Sequence, residues 1–167
     1  MVSDYVTVAH NASLMFTTNM SFVMLVKVAQ ADYATWDHLL SKAAWGASGY
    51  GFGSVANNTE IGFYVSAYNV ANNRIVISSS LLFDDSWHLV VGTYDGGATE
   101  LKIYIDGTLQ GTQSSAPATI PSNTSPVMFP VIQSTSYQTP CQIECVALFN
   151  TTLTQANITS LWNETGL

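Results

Sequence analysis

The stretch Leu101-Lys102-Ile103-Tyr104-Ile105-Asp106-Gly107-Thr108-Leu109 leaves little choice of local structure. Leu101, Ile103 and Ile105 recur at every second position, the period of a strand with one face in a core, and Asp106-Gly107 suits a two-residue type I′ turn. The segment is predicted to be a β-hairpin. Tyr94-Asp95-Gly96-Gly97 marks a turn just before it, so residues 87–112 should form a three-stranded antiparallel meander.

Short alternating runs between turn residues recur elsewhere. Tyr5–Val8, Ser21–Val28, Tyr50–Phe52, Ile61–Ser66, Arg74–Ser78 and His88–Tyr94 read as strands. The Pro, Ser and Thr content from Ser114 to Pro130 points to an irregular crossing loop, with a short strand near Val127–Ile132. Helical signals wait until the end, where Thr154 can cap a short helix over Gln155–Trp162 whose Ile158, Leu161 and Trp162 would cover the sheets. With no repeat and no linker, residues 1–167 are predicted to be one all-β domain, an antiparallel two-sheet jelly-roll sandwich with one C-terminal helix.

Composition narrows the partners. Hydrophobic residues make up 47% of the chain and charged residues 9%, which excludes disorder. Four basic residues, Lys27, Lys42, Arg74 and Lys102, are scattered against eleven acids, for a net charge of -7 and a pI near 4.5. No basic stripe is available to neutralise phosphates, so nucleic acid and anionic membrane are poor partners. No charged n-region with an apolar run opens the chain, and no stretch approaches the ~18 apolar residues of a membrane span, so membrane insertion is not expected. The surface must be built largely of Ser, Thr, Asn and Gly, as in extracellular and virion proteins.

Cys141 and Cys145 lie four apart in a predicted strand, where their Cα atoms would be about 13 Å apart and their side chains on one face. A disulfide spans roughly 4.4–6.8 Å, so the thiols are expected to be unbridged, and the spacing does not suit a zinc knuckle.

Four blocks of sequence together resemble the laminin-G-like branch of the concanavalin A-like lectin/glucanase superfamily. They are Tyr5–Val8 with Ser13–Phe16 and Phe22–Lys27; Leu39–Lys42 with Gly49–Phe52; Asp85-Ser86-Trp87-His88-Leu89-Val90 through Thr93-Tyr94-Asp95-Gly96 to Tyr104-Ile105-Asp106-Gly107; and Ile143–Asn150 with Leu153–Trp162. The third is similar to the family's central Trp-His and Tyr-Ile-Asp-Gly signature. The resemblance implies two antiparallel sheets and a binding function. In many relatives the closing strand helps hold calcium, and this chain has Cys141 and Cys145 where the family often has Gly and an acid.

The chemistry-bearing residues point away from catalysis. Glucanases of this fold carry a Glu-x-Asp-x-x-Glu strand, and glycosidases need two carboxylates about the scissile bond. Glu60, Glu100, Glu144 and Glu164 are isolated, with no acid two residues on, so a glycoside hydrolase is disfavoured. Trp87 is expected in the core and His88 on the sheet surface, and His10 and His38 in loops. Asp95 and Asp106 precede glycines in turns. Asp84, Asp85 and Glu144 are the candidate calcium ligands, and no other cofactor is implied.

The expected function is a non-catalytic binding or adhesion module that recognises glycan or a protein surface. Loop aromatics are the candidate contacts, namely Tyr33, Trp36, Trp45, Tyr68 and Tyr137, because flat rings stack on sugars and loops carry function on rigid sandwiches. Two settings stand side by side. One is a structural or decorating protein on a virion surface, a phage capsid or fibre, displayed in many copies beside capsid or fibre proteins. The other is the glycan-binding domain of a secreted multidomain adhesin, to which seven Asn-x-Ser/Thr patterns, at Asn11, Asn19, Asn57, Asn123, Asn150, Asn157 and Asn163, lend weight.

Overall fold

The computed structural model describes residues 5–29, 37–43, 48–54, 60–66, 75–78, 82–130 and 140–167. Strands β1 (Val6–Val8), β3 (His38–Ser41), β4 (Gly49–Ser54), β5 (Ile61–Ser66), β6 (Ile75–Ile77) and β10 (Val127–Phe129) form one sheet, in the order β1-β10-β3-β4-β5-β6. Strands β2 (Asn19–Ala29), β7 (Asp84–Asp95), β8 (Glu100–Ile105), β9 (Thr108–Ser114) and β11 (Gln142–Phe149) form the other, in the order β11-β2-β7-β8-β9. All described pairings are antiparallel. A short 3-10 turn, Ala12–Leu14, precedes β2, and helix α1 (Gln155–Thr165) follows β11. The two-sheet sandwich, the meander and the C-terminal helix agree with the sequence reading.

Side-chain parity sorts the residues into two cores. Met20, Phe22, Met24, Val26 and Val28 of β2 and Leu101, Ile103 and Ile105 of β8 point between the sheets, where they meet Phe52, Phe63 and Val65 from the opposite layer. Phe22 stacks on Phe52 with ring centroids 4.8 Å apart, and Phe52 meets Phe63 at 5.3 Å. The layers pack tightly at Gly92, where a Cβ would lie 2.4 Å from the Phe63 ring, so only glycine fits without a shift. The opposite parity builds a smaller core on the outer face: Val23, Leu89, Val91 and Tyr104 lie beneath Ile158, Leu161 and Trp162 of α1.

The Asp106-Gly107 turn joins these parts. Both residues have positive φ, 52° and 75°, as a type I′ turn demands. The Asp106 amide donates to the Leu89 carbonyl at 2.9 Å, Asp106 Oδ1 accepts from the Leu89 amide at 3.0 Å, and Asp106 Oδ2 meets His88 Nδ1 at 2.7 Å. His88 Nε2 meets Asp84 Oδ1 at 3.0 Å. Next in the chain, the Gly107 carbonyl accepts from Gln155 Nε2 at 2.7 Å, and a Cβ on Gly107 would press on Trp162 at 3.2 Å. The helix itself starts at Thr154, in a capping box with Asn157. The Trp-His and Asp-Gly halves of the sequence signature are thus two sides of one joint.

Several local expectations need correction. A register shift between Ile143 and Cys145 inverts parity along β11, so Cys141 packs with Ile143 and Val146 toward the main core while Cys145 is exposed. The two thiols are free, as expected, but on opposite faces. His38 is no loop residue; it opens β3, fully buried, with its ring edge-on to Tyr64. Trp87 is half-buried and belongs to neither core, because it stands at the rim of β7, while His88 is held between two carboxylates rather than lying open on the sheet.

Two measurements check this description. Gly92→Ala should lower stability by about 1–3 kcal/mol through overpacking against Phe63, a fall in Tm of roughly 2–4 °C per kcal/mol. Burial alone would lower the His88 pKa, but hydrogen bonds and charge from Asp106 and Asp84 outweigh it and raise the pKa above its ordinary 6.5. Asp84 is lowered, chiefly by its hydrogen bond to His88. The His88 contribution is therefore full below ~6.5 and lost as pH rises through the folded value, and that of Asp84 is present above ~3.9 and lost as pH falls through its lowered value. His88→Gln should cost about 1.5–3 kcal/mol near pH 5.5 and clearly less at pH 8.5. Equal destabilisation at both pH values would show that the imidazole is not charged in the fold.

Candidate functional site

The sandwich is closed on one side and open on the other. Where β6 and β9 come together the layers touch, whereas β1 and β10 stand apart from β11. The gap is an apolar groove of about 480 Å³ between Tyr5, Val6 and Phe129 on one side and Cys141, Ile143 and Val146 on the other. Past Phe129 and Val146 it runs into a second hollow of about 160 Å³. Val6 at its lip is 50% exposed. Burial pushes the Cys141 thiol up to about 12, so this sulfur is protonated, and a poor nucleophile, at neutral pH.

A second recess, of about 360 Å³, lies on the outer face of β7 and β8 beside the start of α1. Hairpin parity makes its floor: Thr93 pairs with Lys102 and Asp95 with Glu100, and all four point away from the main core, as does Tyr104. Its wall is the turn Thr152–Gln155. Ser21 pins that turn, donating to the Thr151 carbonyl and accepting from the Leu153 amide, both at 2.8 Å. Thr152 Oγ1 donates to the Tyr94 carbonyl at 2.9 Å and accepts from Asn19 Nδ2 at 2.9 Å.

The charges in this recess are already engaged. Lys102 Nζ meets Glu100 Oε1 at 2.5 Å, and that hydrogen bond raises the lysine pKa. Asp95 Oδ1 accepts from the Gly97 and Ala98 amides at 2.9 and 3.0 Å, the turn role expected of it. Burial raises the Tyr104 phenol, which hydrogen-bonds Thr93. Asp95 and Glu100 face each other across the hairpin, yet one caps a turn and the other holds an ammonium, so neither is placed to transfer a proton to a glycosidic oxygen. His88 offers no base either, since both ring nitrogens face carboxylates. What the recess can do is bind: it offers hydroxyls, a carboxylate and an ammonium on a rigid floor.

The structure separates the sequence-predicted residues. Tyr33, Trp36, Trp45, Tyr68 and Tyr137 lie outside the described residues. The calcium ligands are not assembled: Asp84 is bound by His88 and the Ser86 amide, and Asp85 pairs with Lys27 at 3.3 Å. Glu144 sits at the β11 bulge, level with Leu25 and Val26, whereas Asp84 pairs with Ala29 on the other side of β2. That spacing puts their Cα atoms on the order of 14 Å apart, too far to share one ion. Among the described residues no group of three or more His, Cys, Asp or Glu is arranged to hold a metal. Thr93, Lys102 and the 152–155 turn fall in or beside segments that the sequence marks as fold elements and not as a site; only the outward parity of the meander signalled that 93, 95, 100 and 102 share a face. EDTA should leave the Tm unchanged, and a fall of several degrees reversed by calcium would contradict this reading of the acids.

A search of curated protein sequences finds no match to the chain. Among solved structures, the binding domain of Paraclostridial Mosquitocidal Protein 1 superposes with a TM-score of 0.76 at 13% identity, over 99% of this chain and 42% of that one. The binding domain of Botulinum Neurotoxin serotype G gives 0.74 at 14%, over 99% and 41%. The serotype D ligand binding domain in complex with N-acetylneuraminic acid gives 0.73 at 16%, over 98% and 40%. At these identities the likeness shows the fold, and the chain spans about two fifths of each of these structures. The family profile described as the Concanavalin A-like lectin/glucanases superfamily, of laminin G type, matches residues 1–159, and the chain belongs to that family.

Proposed function

We propose that this chain is a non-catalytic recognition module that binds glycan outside cells. The observation that carries the reading is the polar recess over β7 and β8: a rigid, hydroxyl-rich floor whose charged groups are held by an ion pair and a turn rather than poised for proton transfer, in a chain of the lectin superfamily. The similar solved structures are binding domains, one of them holding a sugar acid, which supports the class of function without identifying this chain's ligand.

Multicopy display on a virion, of phage type, is the finer reading. It is supported by the charge-poor surface and by the open edge, where Tyr5, Val6 and Val8 present 43–50% of their area and an apolar groove to any neighbour that anchors the module. Linked copies raise avidity by ~10²–10⁴ without new contacts, which suits a shallow site. The secreted-adhesin alternative calls for glycans at the Asn-x-Ser/Thr patterns. At one of these asparagines both hydrogens of the nitrogen that would carry the glycan are already engaged: Asn123 Nδ2 donates to the Ser48 carbonyl at 2.7 Å and the Lys42 carbonyl at 3.3 Å.

A glycan array probed with multivalent protein should give a defined set of binders. Silence across the whole array, with folded protein confirmed, would move the reading to recognition of a protein surface. Stoichiometric co-purification with capsids is expected on the virion reading, and mass-spectrometric detection of N-glycans on the native protein would remove it.

A further inference from the structure

We infer that the recess over β7 and β8 takes an uncharged sugar, read by the Glu100–Lys102 pair, and rejects sialylated or sulfated glycans. This rests on the glycan-binding reading and specifies its site and ligand class.

The first observation is where the cations are. Lys27 is paired with Asp85. Lys42 is fully buried, its Nζ donating to the Ser125 carbonyl at 2.7 Å and Asn123 Oδ1 at 3.1 Å beside His10 Nδ1 at 3.3 Å, so it holds the loop before β10 and faces no ligand. Lys102 is held by Glu100. Arg74 lies outside the described residues. Every described lysine already faces a carboxylate or carbonyl partner, and the one lining the recess, Lys102, stands beside Glu100, which would face any anion that approached it. An anionic ligand in the recess would meet two carboxylates, Asp95 and Glu100, against one ammonium, in a chain of net charge -7. Like charges at such range repel, and desolvation on binding strengthens the effect.

The second observation is how well the same groups suit a neutral polyol. A pair of adjacent sugar hydroxyls donates and accepts together. Glu100 accepts, Lys102 donates, and the hydroxyl oxygens of Thr152 and Thr154, whose protons go to the Tyr94 carbonyl and Asn157 Oδ1, can accept. Leu153 adds an apolar surface for the C–H face of a ring. The volume falls within the ~300–1,000 Å³ of small-ligand sites. Its floor strands are paired on both sides, so little ordering is needed on binding. The larger groove at the open edge does not compete for this ligand, since its lining is apolar apart from Glu144 and backbone.

The test uses the full chain, displayed multivalently, on matched neutral, sialylated and sulfated glycans, followed by affinity measurements on the best neutral hit for Lys102→Ala, Glu100→Gln and Lys27→Ala. The expected result is a neutral-only profile, a loss of tenfold or more for Lys102→Ala and Glu100→Gln with Tm near wild type, and no change for Lys27→Ala outside the recess. Neutral binding that survives Lys102→Ala would overturn the site and leave glycan binding intact. Preferential binding of sialylated or sulfated glycans would overturn the ligand class. Binding of no glycan would overturn the function reading itself, and this inference with it.

Discussion

Asp106 fastens the molecule at one point. Its backbone amide and one carboxylate oxygen close on Leu89, its other oxygen holds His88, and the carbonyl of the following glycine receives Gln155 from the helix. A turn with two positive φ angles is what lets β8 return as β9 while leaving bare Cα surface at Gly107 for Trp162. The helix is seated by that contact, the outer core of Val23, Leu89, Val91 and Tyr104 is covered by the helix, and the recess gains its wall from the turn that leads into it. Loss of this joint would cost more than a hydrogen bond, because the helix has few other polar ties to the sheet.

What the sequence makes legible follows from period and parity. Leu101, Ile103 and Ile105 face the main core as their alternation requires, and Ile158, Leu161 and Trp162 cover the outer face as their helical spacing requires. Alternation fails where the backbone slips by one residue. The bulge in β11 sends Cys141 and Cys145 to opposite faces, and nothing in Gln142-Ile143-Glu144-Cys145 announces it. Burial of polar residues is hidden for a similar reason: His38 and Lys42 are enclosed by partners distant in the chain, such as Tyr64 for one and Asn123 and Ser125 for the other. The recess was illegible as a site because its residues are common surface types, and only the register of β7 on β8 and the 152–155 turn bring them together.

The proposed function divides labour between the two sides of the sandwich. One side offers an apolar groove and an exposed short edge strand, suited to attachment. The outer face offers a polar recess in which Lys102 pairs with Glu100 and Asp95 caps a turn, suited to selection among polar ligands. The contacts that occupy Asp95 and Glu100, turn amides for one and the Lys102 ammonium for the other, also keep the recess ordered before a ligand arrives.

Backbone amide shifts of the isotope-labelled chain, followed by NMR while a neutral oligosaccharide is added, test the central claim most directly. The expected result is a set of saturable shifts confined to Thr93, Asp95, Glu100, Lys102 and the 152–155 turn, with the β1 and β11 edge unmoved. Shifts confined to that edge, or none from any neutral sugar, would contradict it.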